Sequence, residues 1–262
     1  MKTILPVWII IFCLSHLVFL LICLVWCTPS KSFVIPFSRY IHLALICRFE
    51  LLIILGIVAF HLLQVNLIDP ITTELISNDA ASVFAGYERD LLQAIQGVWH
   101  PLLLTIFVSA YIIVYPFTLW FSPLLFLVTE SRNAMKTLAY GLALIYAIAL
   151  PFYLFLPVTN VYTYLGTASA LETVIPSIDS FFYATTTTNN CFPSLHVAVS
   201  LLIAKSVSKT RHHRYILFTS LSALLVIIAV IYLAIHWITD VVAGVLLALG
   251  VFYLLDRYVK EK

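Results

Sequence analysis

Charge is what this sequence has least of. Of 262 residues only 10% are Asp, Glu, Lys or Arg, against 63% hydrophobic, and the mean hydropathy is +1.07. A soluble domain carries about 25% charged residues, so this chain cannot cover a globule with a solvated surface. That excludes a cytosolic enzyme, a disordered tail and a nucleic-acid binder. The net charge of +2 is too small to recruit a polyanion. With 7 Gly and 11 Pro, and no evident internal repeat, collagen-like and low-complexity classes go as well. The cysteines are Cys13, Cys23, Cys27, Cys47 and Cys191, mostly in or beside apolar runs and without a paired CxxC and histidine motif. Neither a disulfide framework nor a metal or redox centre is expected from them. What remains is an all-α, polytopic transmembrane helical bundle.

A spanning helix needs about 20 apolar residues. Runs of that kind predict spans at 4–27, 41–67, 101–128, 137–157, 194–209, 215–235 and 238–256, a count of six to seven in one integral-membrane domain over 1–262. The first run is too long for a signal peptide and lacks a small-residue cleavage site, so it reads as an uncleaved span. Pro116 and Pro123 should kink the third span rather than end it.

Cations orient the spans. If the loops after spans one, three and five and the C-terminus face the cytoplasm, that side holds Lys31, Arg39, Arg132, Lys136, Lys205, Lys209, Arg211, Arg214, Arg257, Lys260 and Lys262. The opposite side holds Lys2 and Arg89, and Arg48 falls within a span. Such an asymmetry obeys the positive-inside rule. Segments 68–100 and 158–193 are then extracytoplasmic, and ERDLLQAIQGVW in the former reads as an amphipathic helix on the outer surface. The polar run 185–190, TTTTNN, reads as an irregular approach to a helix start.

Two stretches interrupt the apolar monotony. In Asn190-Cys191-Phe192-Pro193-Ser194-Leu195-His196, asparagines lead to a proline and apolar helix follows from Leu195. This is a helix N-terminus with proline near its first position. Free backbone N–H groups and the helix dipole suit such an end to an anion, with Ser194 adding a hydroxyl and His196 standing in the first turn. An ordinary capped helix end with an interfacial histidine would look the same. The second stretch is His236-Trp237-Ile238-Thr239-Asp240, and Asp240 is the one charged residue between 215 and 255. A carboxylate at membrane depth marks a functional site by default, although a structural polar pair is the alternative. A carboxylate on one imidazole nitrogen fixes the tautomer and frees the other lone pair for attack. Together the stretches equip a site for phosphoryl transfer: His236 the nucleophile, Asp240 its orienter, and His196 the acid that protonates the leaving oxygen. No cofactor or metal is called for.

PSLH at 193–196 and YLAIHWITDVVAG at 232–244 resemble the second and third signatures of the type-2 phosphatidic acid phosphatase superfamily. The wider NCFPSLHVAVS is closer to the branch containing inositol phosphorylceramide synthases and their prokaryotic relatives. The resemblance covers roughly 137–256. It implies a six-helix core, a site at the extracytoplasmic face, with the plasma membrane as the expected location, and a lipid phosphate, pyrophosphate or phosphodiester as substrate. It assigns phosphate binding to Ser194, acid catalysis to His196, and the nucleophile and its orienter to His236 and Asp240.

The sequence departs from that family where cations are due. The pattern SRxxxxxHxxxD would put serine and arginine at Ala229 and Val230. KxxxxxxRP is also absent: Pro157 follows Leu156, and Ala149 stands where lysine would fall. A phosphodiester carries one negative charge where a monoester carries nearly two, so the missing cations favour head-group transfer between lipids. Arg89 is the one outer-loop cation able to replace them, with Asn189, Asn190, Tyr183 and Tyr162 as neutral donors. Arg48 and Glu50 fall to snorkelling or helix pairing, and His212 and His213 to anionic head groups on the inner side. The competing classes are a hydrolase, a phosphoinositol-type head-group transferase, a transporter with a His236–Asp240 proton relay, and a catalytically dead scaffold. The expected partners are the bilayer and its lipids, and no nucleic acid.

The orientation is open to test. A cysteine introduced at Asn78 should react with a membrane-impermeant thiol reagent from outside, and one at Lys209 should not. The reverse labelling pattern overturns the orientation and puts the site in the cytoplasm.

Overall fold

A computed structural model of the chain describes residues 7–27, 33–76 and 78–258. Residues 4–6 of the first expected span, and the cations Lys2, Lys31, Lys260 and Lys262, lie outside the described residues. In chain order the helices are α1 (Val7–Ile22), α2 (Phe37–Ile46), α3 (Arg48–Leu63), α4 (Asp69–Leu75), α5 (Ala81–Gly97), α6 (Pro101–Ser109) and α7 (Tyr115–Val128). They are followed by α8 (Arg132–Phe155), α9 (Val161–Leu165), α10 (Ala170–Val174), α11 (Ile178–Thr185), α12 (Leu195–Ser208), α13 (His213–Tyr232) and α14 (Ile238–Tyr258). No strand occurs among the described residues.

Among the described residues six helical rods are long and apolar enough to cross a membrane: Trp8–Cys27, Arg48–Leu75, Pro101–Val128, Arg132–Phe155, His213–Tyr232 and Ile238–Arg257. The fifth expected span is α12, whose 14 residues extend only about 21 Å at 1.5 Å per residue. A hydrocarbon core is about 30 Å thick, so α12 does not bridge it alone. It sits instead at the centre of the bundle, packed on α8, α13 and α14.

The second span differs from its expected limits, 41–67. Cys47 leaves helical geometry (φ −100°, ψ 18°) and separates α2 from α3, so Arg48 opens a span rather than lying inside one. Beyond Leu63 the rod continues through a π-helical turn, Gln64–Ile68, into α4. Hydrogen bonds from i to i+5 in such a turn bring Gln64 and Asp69 onto one face, and both are buried. In the third span another π-helical turn, Ala110–Val114, precedes Pro116, which lacks the N–H that a regular turn would use. The rod runs on through Pro123 to Val128.

Cations gather at one end of the bundle. There Arg132 donates to the Ile46 carbonyl at 3.2 Å, Arg214 to that of Trp26 at 3.0 Å, and Lys205 meets Asp256 at 2.7 Å. At the other end α5 packs on α13 and α9, with Glu88 and Leu92 inward and Arg89, Asp90 and Leu91 exposed. The threonine–asparagine run pairs its backbone with 158–160: Val158 N–H donates to Asn189 O at 2.8 Å and Asn160 N–H to Thr188 O at 2.7 Å.

Two glycines let the central helices close. Gly141 of α8 faces the Leu202 side chain of α12, and a Cβ on Gly244 of α14 would lie 2.6 Å from the Ser194 carbonyl oxygen. Gly244→Ala should therefore push α14 off the start of α12, costing about 1–3 kcal/mol by overpacking and lowering activity. Gly250→Ala, with nothing within 4 Å of its Cβ, should be neutral or stabilising by about 1 kcal/mol. Thermal unfolding in detergent compares the two; equal effects would deny the close approach any structural role.

Candidate active site

Chain geometry at the start of α12 is fixed from several sides. The Tyr153 hydroxyl donates to the Pro193 carbonyl at 2.6 Å. Ser194 is the N-cap, with its Oγ 3.5 Å from the Val197 N–H, and Pro193 stands one residue before it. The Ser194 N–H donates to the Asp240 carbonyl at 3.0 Å, a direct backbone tie between the two polar stretches. Ser194 is fully buried and its hydroxyl turns to the cap rather than to open space. His196, in the first turn, points its ring at the Tyr111 hydroxyl, which lies 3.3 and 3.2 Å from its two nitrogens.

His236 lies on a tight turn between α13 and α14. Ala234 takes a left-handed conformation (φ 55°), and the N–H groups of Ile235 and His236 both donate to Val230 O at 3.0 Å. Trp237 is fully buried, its indole N–H on the Thr159 carbonyl at 2.8 Å. This turn brings His236 Nδ1 to 3.3 Å from Asp240 Oδ2, which also accepts from Trp237 N–H at 2.9 Å. A carboxylate can only accept, so the imidazole proton belongs on Nδ1 and the Nε2 lone pair is free. The His–Asp distance is long for a hydrogen bond, as catalytic contacts often are before substrate tightens them.

Glu88 completes the turn from outside. Its buried carboxylate accepts from Ile238 N–H at 2.6 Å, Thr239 N–H at 3.0 Å and Thr239 Oγ1 at 2.5 Å. A side chain from α5 thus satisfies the first N–H groups of α14, which have no partner inside their own helix. Sequence reasoning missed this residue, because a glutamate on an amphipathic helix normally faces solvent.

A cavity of about 660 Å³ opens on both histidines, whose ring centroids are 6.0 Å apart. Its polar end is lined by His61, Tyr111, Tyr146, Asn190, His196 and His236, and its remainder mainly by Leu, Ile, Val, Pro and aromatic side chains of α3, α7, α8 and α12. Among the described residues, no Lys or Arg lines the cavity. Arg89 is exposed on the outer side of α5 and does not line the cavity. Ala149, Ala229 and Val230, which stand where cations were due, are fully buried in apolar packing. The suggested neutral donors are engaged elsewhere: Asn189 with Thr73, Tyr162 and Tyr183 with each other, and Asn190 Nδ2 with Asp69. Tyr111 and His61 escaped sequence reasoning because each stands alone in an apolar run.

Cys191 Sγ, His236 and Asp240 bring donor atoms within 4.8 Å of one another. Burial, reinforced by the Asp240 charge, pushes the Cys191 thiol well above its ordinary range, which keeps it an S–H directed at Ile235 O.

Curated proteins and solved structures gave no match to the chain. The profile of the PAP2 superfamily matches residues 76–254, from just before α5 through most of α14. That span includes Glu88, Ser194, His196, His236 and Asp240, and leaves His61 and Asp69 outside it. With six rods long and apolar enough to cross a membrane among its described residues, and both motif histidines on one cavity, the chain belongs to the PAP2 superfamily, whose members are phosphatases and phosphotransferases acting on phosphate esters.

Proposed function

We propose that the protein is a membrane-embedded lipid phosphatase or phosphotransferase that works through a phosphohistidine at the extracytoplasmic face. The observation that carries this reading is the cavity itself: two histidines, one of them on a buried carboxylate, at the polar end of an otherwise apolar chamber. Leu55, Leu62 and Trp120 line that chamber and are also exposed on the lipid-facing surface. A hydrocarbon chain entering between α3 and α7 would lie along them with its phosphate at the histidines.

In this mechanism the Nε2 lone pair of His236 attacks phosphorus while the bond to the leaving oxygen breaks. His196 supplies the proton that leaves with that oxygen. Asp240 holds the Nδ1 proton and balances the charge that forms on the ring. A hydroxyl oxygen, from water or a lipid alcohol, then gives its proton to His196 and displaces His236 from phosphorus. The absence of Lys and Arg from the cavity supports a substrate of low charge, hence a phosphodiester and head-group transfer. Phosphate oxygens would rest on the N-terminus of α12, where backbone N–H groups and the helix dipole favour anions.

His236→Ala should abolish release or transfer of labelled phosphate, and Asp240→Asn should lower it by on the order of 10⁴-fold through loss of the correct tautomer. Wild-type turnover in His236→Ala would remove the phosphohistidine from the mechanism.

His196 has a different signature. General acid catalysis contributes about 10²–10⁴-fold, and a leaving group of low pKa needs little of it. His196→Ala should therefore be rescued substantially on a p-nitrophenyl ester and stay impaired on an alkyl ester, while His236→Ala stays inactive on both. Equal losses of His196→Ala on both esters would reduce His196 to a positioning role.

A further inference from the structure

α5 lies across the end of the bundle rather than along it. Its 17 residues extend about 25 Å at 1.5 Å per residue, and they meet the ends of three spans in turn. Ahead of its first turn, Ala80 N–H donates to Pro157 O at 2.9 Å and Asp79 Oδ1 accepts from Thr159 N–H at 3.1 Å, beside the C-terminus of α8. In its middle, Glu88 accepts from the Ile238 and Thr239 N–H groups that open α14. Past its last turn, the Trp99 indole donates to the carbonyl of Tyr232, the last residue of α13. The opposite ends of these spans carry the cations Arg132, Arg257 and Arg214. A helix laid over the ends of three spans runs along the membrane surface, not through it.

The face of α5 that packs on the bundle carries Phe84, Glu88, Leu92 and Ile95. Beside it a further apolar face turns outward. Val83, Tyr87, Leu91, Ala94 and Val98 are all exposed, and at 3.6 residues per turn they share an arc of about 80°. The exposed residues Ser82, Arg89, Asp90 and Gln93 fill the neighbouring arc. Water suits that polar arc and not the apolar one. The neighbour of the apolar arc shows what it meets. The Tyr87 hydroxyl lies 3.5 Å from Thr239 Oγ1. From Thr239 the exposed face of α14 continues through Val242, Leu246, Leu249 and Tyr253, at alternating spacings of three and four. That is the side of a spanning helix that lipid covers. The stripe on α5 thus carries the lipid-facing side of α14 up to the bilayer surface, the level at which tyrosine is enriched.

We propose that α5 is an interfacial strap: its apolar stripe docks on the hydrocarbon edge of the leaflet at this end, and that docking holds Glu88 on the turn that carries His236 and Asp240. Glu88 and Leu91 are one turn apart on a single helix, so a stripe that leaves the lipid draws the carboxylate with it. The N–H groups of Ile238 and Thr239 then lose acceptors that their own helix cannot replace. The bilayer in this way takes part in positioning the His–Asp pair, whichever reaction the pair performs.

Two measurements on the full-length protein in dioleoylphosphatidylcholine vesicles test the strap. The first places nitroxide labels in a Cys13→Ser background, where the other native cysteines are buried. Labels at Val83→Cys and Leu91→Cys should collide more with dissolved oxygen than with an aqueous nickel chelate, and labels at Asp90→Cys and Gln93→Cys the reverse. Preferential collision with nickel at Val83 and Leu91 overturns the docking. The second measurement is hydrogen exchange of the Ile238 and Thr239 amides. Glu88→Ala should raise it about tenfold or more, the factor implied by losing one hydrogen bond to a charged group. Val83→Gln with Leu91→Gln, which keeps helix propensity, should raise it likewise, and should add little in the Glu88→Ala background. Arg89→Gln with Asp90→Gln, on the water side, should change nothing, and unchanged exchange in the middle of α13 reports an intact bundle. No effect of the stripe variant, or one that persists undiminished without Glu88, overturns the link to the turn. Neither measurement uses turnover, so the strap stands or falls apart from the phosphoryl-transfer reading.

Discussion

The backbone bond from Ser194 N–H to the Asp240 carbonyl is the joint on which the site depends. It links the cap of α12 to the first turn of α14 and so fixes the distance between two histidines that come from separate stretches of chain. Neither helix could approach the other so closely with a side chain at Gly244, whose Cβ would meet the Ser194 carbonyl oxygen and Cβ together. The shortness of α12 follows from the same arrangement. Its start must lie at the level of the turn between α13 and α14, inside the bundle rather than at its surface, and 14 residues then carry it to Lys205 and Lys209 at the cationic end.

Electrostatics divides the cavity into two walls. On one stand the first turn of α12 with His196 and the His236–Asp240 pair; behind the other, Asp69 takes up the amide donors of Gln64 and Asn190. A polar group worth little in water gains weight here, because the apolar surroundings lower the local dielectric. With no Lys or Arg among the described residues of the lining, the proposed substrate would be held by many fixed dipoles rather than by a few point charges. That arrangement suits a singly charged ester better than a doubly charged one, since each further charge buried without a cation carries a desolvation cost of several kcal/mol.

The residues legible in the sequence are those whose chemistry conflicts with their surroundings. Asp240 stood out as the one charge from 215 to 255, and Pro193 before an apolar run marked a helix start. Both signals follow from backbone and solvation rules that act locally. Gln64 and Asp69 were harder to see as a pair, because a spacing of five lies on no shared face of a regular helix, and only the π-helical turn aligns them. Tyr111 gave no signal either, since a tyrosine within a span is as common in packing as in catalysis. Arg89 illustrates the opposite case: its charge made it conspicuous, but helix phase turns it outward while its neighbour Glu88 turns in.

Glu88 shows why the segment before the motifs belongs with them. The turn that carries His236 includes a left-handed alanine, which costs about 1–2 kcal/mol, and it has to present two unpaired N–H groups at the start of α14. No residue within the turn offsets this: Trp237 N–H is already taken up by Asp240. Glu88 supplies three acceptor contacts from another helix, and hydrogen bonds to a charged group contribute about 1.5–3 kcal/mol each. That outweighs the left-handed alanine. The external cap in turn has to be held in place, and α5 is tied at both ends. Asp79 Oδ1 accepts from Ala81 N–H at 2.9 Å and Thr159 N–H at 3.1 Å, while the Trp99 indole donates to the Tyr232 carbonyl at 2.7 Å. A family match beginning at residue 76 rather than at the first motif is what this dependence leads one to expect.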